Sequence, residues 1–208
     1  MIAVTFALPE ESRDFVRAVR GRRDVTVVHT GLGLEAAATA TAALLAGPRP
    51  AWVLSGGFAG ALDPRLRLGD LLVAENFTSP PLLARAAGLE RGQLVSRPRP
   101  AELVAEKAAL FRETGALAVD METAAIAAAC ARAGVPLLAL RAISDPAHEP
   151  LPAPLAEWFD LARQRPRPRR LLAYLWRRPS AIRPFVRFVR GLPVARRALT
   201  AALLRAIA

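Results

Sequence analysis

At 208 residues the chain can bury one sizeable core and little more. It holds 29 Lys and Arg against 18 Asp and Glu, but unevenly: residues 1–160 carry 16 of the bases and every acid, whereas residues 161–208 carry 13 arginines and no acid. A near-neutral globule with a cationic appendix excludes reading the pI of about 11.5 as a property of the whole chain; any partner selected by charge belongs to the end segment. Cys130 is the only cysteine, so no intrachain disulfide is possible, and its setting in an Ala-rich run marks it as a small buried thiol rather than a nucleophile. No run of 18 uncharged apolar residues offers a membrane span, and the strand-like start followed by Pro9-Glu10-Glu11 does not look like a signal peptide.

Strand-like and helix-like runs alternate along the first 145 residues. Ile2–Ala7 and Val25–Thr30 predict strands flanking a helix over about Glu10–Arg20. Gly33–Leu45 predicts a helix, Trp52–Ser55 and Leu71–Ala74 predict strands, and a helix follows a Pro-broken stretch near Ala101–Arg112. Ala116–Val119, Met121–Ala133 and Leu137–Ile143 complete a strand–helix–strand unit. Short, fully apolar strands between helices predict an α/β fold, a mixed, mostly parallel sheet covered on both faces.

From about Arg163 the texture changes. Arg165-Pro166-Arg167-Pro168-Arg169-Arg170 suggests a boundary, dividing a catalytic domain of residues 1–162 from an Arg-rich helical tail of residues 163–208. Three short helices are predicted in the tail, over Leu171–Arg178, Ser180–Arg190 and Val194–Ile207. On a helical wheel Ile182, Phe185, Val186 and Val189 share one face, which Phe188 widens, and Arg183, Arg187 and Arg190 share a separate one. That segregation suits an interfacial helix on an anionic membrane; packing on the globule or on a second subunit is the alternative. Base-reading features are lacking, so no nucleic-acid partner is expected.

Glycines gather near expected strand ends: Gly31 and Gly33, then Gly56, Gly57 and Gly60. Ligands in such sheets bind beyond the carboxyl ends of strands, where glycine lets backbone approach a ligand. Thr30-Gly31-Leu32-Gly33 is no dinucleotide fingerprint, because Ala36 stands where the third glycine belongs, and no cofactor or metal is expected. Three acids stand at strand ends or helix starts: Glu11, Glu122 and Asp145. Any one of them alone reads as a residue favoured by a helix dipole.

The segments ALPEES at 7–12, HTGLGLEAAA at 29–38, LSGGFAGALDPRLRLGDLLVAE at 54–75 and LAVDMETAAIAAACARAGVPLLALRAISD at 117–145 change that reading. In this order they resemble the methylthioadenosine/S-adenosylhomocysteine nucleosidases and bacterial nucleoside phosphorylases. The resemblance implies cleavage of an N-ribosyl bond. Asp145 would protonate the purine at N7, Glu122 would grip the ribose hydroxyls and stabilise the oxocarbenium-like transition state, and Glu11 would orient or activate the attacking water. It further implies that Gly31, Gly57, Phe58, Met121 and Ser144 line the substrate, with Met121 on the sugar and Ser144 holding Asp145. The chemistry is coherent: a purine anion leaves poorly, so it needs a proton from a carboxyl conditioned by burial, and a cationic sugar favours a fixed carboxylate.

Two departures refine the reading. Phosphorylases of the superfamily carry a phosphate-binding Arg just before the Gly-rich turn, where this chain has Ser55, which leans towards hydrolysis; Arg97 or Arg99 remains an alternative phosphate ligand. Glu75 and Ser96 are only 21 positions apart, where the nucleosidases carry a longer insertion, so the 5′ side of the pocket is expected to be open to a bulky substituent. With the basic tail, this arrangement is similar to the hopanoid-associated nucleosidase/phosphorylase group, which implies release of adenine from adenosylhopane. The expected protein is cytoplasmic, peripheral on the inner face of the membrane and a homo-oligomer. A nucleosidase for soluble methylthioadenosine, S-adenosylhomocysteine or futalosine is one alternative, and a non-catalytic membrane-docked nucleoside-binding module is another.

Overall fold

The computed structural model describes residues 1–208. An eight-stranded mixed sheet is laid down by β1 (Ile2–Phe6), β2 (Val25–His29), β3 (Trp52–Ala61), β4 (Leu71–Ala74), β5 (Glu90–Gly92), β6 (Leu94–Ser96), β7 (Ala118–Asp120) and β8 (Leu137–Asp145). The main path runs β2-β1-β3-β8-β4-β5, and β7 pairs with the far end of β3 and with β6. Five pairings are parallel; β4 with β8 and β3 with β7 are antiparallel.

The sheet is sandwiched because its central strands are apolar on both faces. Side chains alternate along a strand, so successive residues of β1, β3 and β8 feed opposite cores. Ala3, Val53 and Leu137 point to a core shared with Ile126 and Cys130, under helices α2 (Leu34–Ala46) and α4 (Thr123–Ala133). Val4, Phe6, Leu54, Leu138 and Leu140 point the other way, under α1 (Pro9–Ala18). A further helix, α3 (Val104–Thr114), packs through Leu110 on Leu62, Ala116 and Val119.

Two regions differ from the sequence reading. Strand β3 does not stop at Ser55 but continues through Gly56, Gly57 and Gly60 to Ala61, paired with β8 and bulged between Ala59 and Gly60. The glycines sit inside the strand, because bulky groups press on its backbone: a Cβ at Gly56 would lie 2.9 Å from Leu203 Cδ1.

The second difference lies in the C-terminal segment. Ahead of the expected boundary lie α5 (Leu155–Trp158) and β9 (Phe159–Asp160), and the boundary stretch itself begins with β10 (Arg165–Pro166), which pairs with β9 in a small hairpin. Asp160 anchors it through Arg167 at 2.7 Å and Arg163 at 3.3 Å. After α6 (Pro168–Arg177), the two last predicted helices fuse into one, α7 (Ile182–Ala206), with Pro193 inside it. Its second half is not an appendage. Ala195, Leu199, Ala202, Leu203 and Ala206 are buried among Phe6, Phe15, Leu54 and Leu138, and Arg196 pairs with Asp14 at 2.9 Å. The expected boundary at 162/163 is therefore misplaced: the second half of α7 completes the core on the α1 face of the sheet, whereas residues 168–190 hold no fully buried residue and meet the globule through ion pairs such as Arg170 with Glu157 and Arg187 with Glu149.

Candidate active site

Three carboxylates collect around the far ends of β1, β3, β7 and β8. Glu11 is the third residue of α1, whose entry is set by Pro9 at the first helical position. Its Oε2 accepts the backbone N–H groups of Ala7 at 2.9 Å and Leu8 at 3.0 Å, as a helix-start acid does. A mere cap would stop there. Glu11 Oε1 instead reaches across to β3 and accepts the Phe58 N–H at 2.9 Å. Gly57 leaves room for this crossing: a Cβ there would lie 3.5 Å from Glu11 Oε1 and 3.6 Å from Arg141 Cζ. Burial pushes the Glu11 carboxyl above its ordinary value, against the lowering effects of these amides and of Arg141.

Glu122 follows β7 and occupies the residue before α4. Its Oε1 accepts the Gly33 N–H at 2.7 Å, and Gly33 itself starts α2 with φ of 98°. The carboxylate thus lies on the positive end of α2, and glycine is needed at 33 for the left-handed backbone that aims the amide. Burial first, and then the neighbouring Asp120 carboxylate, push Glu122 up to about 8; the Gly33 amide and Arg141 pull the other way. Met121 beside it is buried against Leu155 and Phe159, with Leu8, Leu32, Trp158 and Leu161 around them.

Asp145 ends β8, opposite Gly60 of β3. A Cβ at Gly60 would stand 2.9 Å from Asp145 Oδ2, so only glycine lets the carboxylate lie against the strand. Ser144 Oγ donates to Asp145 Oδ1 at 2.6 Å. On the other oxygen sits a residue that the sequence does not single out. Lys107 of α3, the only lysine in the chain, is fully buried and donates from Nζ to Asp145 Oδ2 at 2.6 Å. The sequence predicts a carboxyl conditioned by burial; Asp145 is buried, and the structure adds an ion pair to it.

Arg141 is a second such residue, although the run ending in Asp145 contains it. It is almost wholly buried and spends every donor it has. Nε pairs with Asp120 at 2.9 Å, Nη1 donates to the carbonyls of Ser55 at 3.0 Å and Leu140 at 2.8 Å, and Nη2 donates to Ser55 Oγ at 3.1 Å and to Thr123 Oγ1. This network ties β3, β7, β8 and the start of α4 together beneath Glu11 and Glu122. A buried arginine in a strand looks improbable by composition alone, and only its Asp120 and Thr123 partners, far away in sequence, make it tolerable.

The mouth is covered by the chain's own residues. Gly31 and the α2 start lie under the loop between β9 and β10: Gln164 Oε1 accepts the Leu32 N–H at 2.7 Å and Gln164 Nε2 donates to the Leu32 carbonyl at 2.9 Å. Gln164 holds a φ of 49°, uncommon for a non-glycine residue and here fixed by the clasp. A Cβ at Gly33 would meet both Leu161 Cδ2 and Met121 Cε at 4.0 Å, so the 155–164 segment is a wall above Glu122. The shortened 75–96 stretch is not the only boundary of the site. Arg97 and Arg99 lie outside the carboxylate cluster: Arg99 is exposed, and Arg97 is tied to it only by its backbone N–H on the Asp120 carbonyl.

The acids thus stand at the carboxyl ends of strands of a mostly parallel sheet, where α/β folds of this kind bind their ligands. The architecture matches futalosine hydrolase of Helicobacter pylori with a TM-score of 0.75 at 20% identity, covering 99% of this chain and 96% of that one. It matches the 5′-methylthioadenosine/S-adenosylhomocysteine nucleosidase of Neisseria meningitidis, in complex with methylthio-immucillin-A, with a TM-score of 0.73 at 19% identity, covering 99% and 97%. By sequence the chain is 29% identical to the nucleosidase of the same name from Glaesserella parasuis, covering 68% of this chain and 76% of that protein. The model of the phosphorylase superfamily matches residues 4–101 and 82–173. The chain belongs to the phosphorylase superfamily.

Proposed function

We propose that this protein is a purine nucleosidase that splits the N-ribosyl bond with water, and that its substrate carries a lipid at the 5′ position, releasing adenine from adenosylhopane. It is an N-glycosyl hydrolase. The observation that carries the reading is the convergence of Glu11, Glu122 and Asp145, each held by backbone or side-chain donors from a second element. Asp145 gives the purine N7 its proton, so the base departs neutral. Glu122 faces the ribosyl cation and its hydroxyls, and substrate that brings positive charge draws it to the ionised form. Glu11, whose carboxyl burial makes more basic, takes the proton of the attacking water. Water rather than phosphate is favoured because Arg141, the guanidinium nearest Glu11 and Gly57, has no donor free to grip an anion.

Two observations support a lipid substituent. The wall above Glu122 is apolar and only partly covered, through Leu8, Leu32, Trp158 and Leu161. Residues 168–190 carry seven arginines and no acid, and they expose Leu172 and Trp176, the latter 80% accessible, together with Ile182, Val186 and Val189. Exposed Trp and Leu beside arginine are what an anionic interface takes up, each basic residue adding about 1 kcal/mol near such a surface. No helix is long and apolar enough to cross a membrane, so attachment is peripheral, on the cytoplasmic face, by a homo-oligomer as the resemblance implies. A soluble substrate is the second reading, favoured by the likeness to futalosine hydrolase. Mass spectrometry of products from adenosylhopane, methylthioadenosine and futalosine, with and without phosphate, decides. Free adenine and ribosylhopane in phosphate-free buffer are expected. Cleavage of a soluble nucleoside alone would replace the lipid reading, and a sugar phosphate would replace hydrolysis.

A further inference from the structure

Beyond holding Asp145 Oδ2, Lys107 has no part in the chemistry of Glu11, Glu122 and Asp145. A lysine is strongly hydrated and seldom fully buried. This one is 0% exposed, on the inner face of α3, and all three of its protons are spent: on Asp145 Oδ2 at 2.6 Å, on the Pro146 carbonyl at 2.9 Å and on the Glu149 carbonyl at 2.9 Å. Three acceptors around one Nζ define an ammonium. The two carbonyls belong to the loop that leaves β8, so the same loop that follows Asp145 folds back to cage its partner. For structure alone the pair is a poor choice, since an apolar residue of similar volume in its place costs nothing in desolvation.

We infer that Lys107 is the proton reserve of the leaving-group acid, a positioning residue that acts on the substrate only through Asp145. The inference rests on the nucleosidase reading above. Paired with an ammonium, Asp145 meets the substrate as a carboxylate, and the proton that the purine needs is stored on Lys107. As the bond from C1′ to N9 breaks and its electron pair moves into the purine, an N–H bond of Lys107 breaks. That proton forms an O–H bond on Asp145, and it passes on as N7–H forms. Lys107 is left a neutral amine and Asp145 again a carboxylate. Water delivers hydroxide to C1′ and its proton to Glu11, and that proton returns to Lys107 through solvent when products leave. Overall one water is split between sugar and base, and the Lys107–Asp145 ion pair is restored with no net change in the charge of the site. The other charged groups near the pair do not compete for the proton. Glu106 of α3 caps its own helix on the Glu102 and Leu103 amides, and Glu149 turns its carboxylate outward towards His148 and Arg187.

The test separates a proton from a charge, using the full-length protein and 5′-alkyl adenosine as the purine substrate. Lys107→Met should lower kcat by about 10²-fold or more while KM moves less than threefold, as loss of acid assistance does. Lys107→Arg keeps the charge and the hydrogen bonds but cannot give up a proton, and should be equally slow. With 4-nitrophenyl β-D-riboside, whose leaving group departs without a proton, both variants should stay within threefold of wild type. In Lys107→Ala, added methylammonium should restore adenine release and guanidinium should not. The inference is overturned if Lys107→Arg matches wild type, if Lys107→Met loses both substrates alike, or if the two cations rescue equally. Failure of wild type to release adenine from any nucleoside would sink the nucleosidase reading instead, a result distinct from all of these.

Discussion

Helix α7 is one continuous element with two different fates. From Ile182 to Arg190 its apolar side chains are exposed or half-exposed, with Val186 at 40% and Val189 at 44%. From Gly191 to Ile207 the same kind of amphipathic face is sealed against β1, β3 and β8, with Leu199 and Leu203 at 0%. Both halves are rich in arginine and free of acid. The difference is in what stands opposite: a sheet of valine, leucine and phenylalanine under the second half, and the edge of the globule near Leu68 under the first. An apolar stripe states that a helix must be covered without stating by what. The buried half also touches the chemistry. Leu203 presses on Gly56, one residue from Gly57, over which Glu11 crosses to Phe58.

The sharpest way to break this comparison is to put the same charge in each half. Leu203→Asp buries an unpaired carboxylate and should leave no soluble folded protein, a loss of more than about 4 kcal/mol. Val189→Asp should change urea stability by no more than about 0.5 kcal/mol. Similar outcomes for both would mean that the two halves are alike. By the same logic, truncation after Gln164 should give insoluble protein, because it strips the cover from Phe6, Leu54 and Leu138.

Next in size are effects confined to the site. Asp145→Asn should cut adenine release by ~10²–10⁴-fold, since an amide cannot pass a proton, while thermal unfolding stays cooperative. Glu122→Gln should cost about 3 kcal/mol or more in kcat/KM. A change below threefold in either assay would reduce these acids to helix-start residues. If the exposed half is a membrane contact, changing Arg183, Arg187 and Arg190 together to Glu should abolish sedimentation with phosphatidylserine vesicles at low salt. Turnover of a soluble adenosine analogue should remain. Wild-type protein that ignores such vesicles would leave that half of α7 without the proposed partner.

A slope with pH is expected as well. Glu122 is raised from about 4.5 to about 8 in the folded protein, so between those values the native state holds more protons than the unfolded chain. Stability contributed by the neutral carboxyl is therefore present at low pH and lost as pH rises towards 8. The melting temperature should fall over that window in wild type, and Glu122→Gln should remove that part of the fall. A wild-type slope of opposite sign would show that the carboxylate is the form stabilised by Gly33 and Arg141.

The candidate site is partly legible in the amino-acid sequence. Glu11, Glu122 and Asp145 stand at ends of predictable elements, and their neighbouring words carry a family resemblance. Gly57 and Gly60 are legible as glycines but not as what they are, floors under Glu11 and Asp145 inside a continuing strand. Arg141 stands in the same run as Asp145 and stays illegible there, because a charged residue in a buried strand has meaning only beside Asp120, 21 positions earlier.

What the sequence by itself determined was local. Apolar runs on both faces made central strands, Pro9 and the acids after it started α1, and Gly33 gave α2 a beginning that an L-residue would strain. The uneven charge was likewise a matter of counting. Only the tertiary structure decided which half of α7 is core, and only it carried Lys107 across 38 positions to Asp145. The physical reason is the same in both cases. Periodicity and composition record what a segment needs, an apolar cover or a counter-charge, whereas the partner that meets the need is chosen by how distant elements pack.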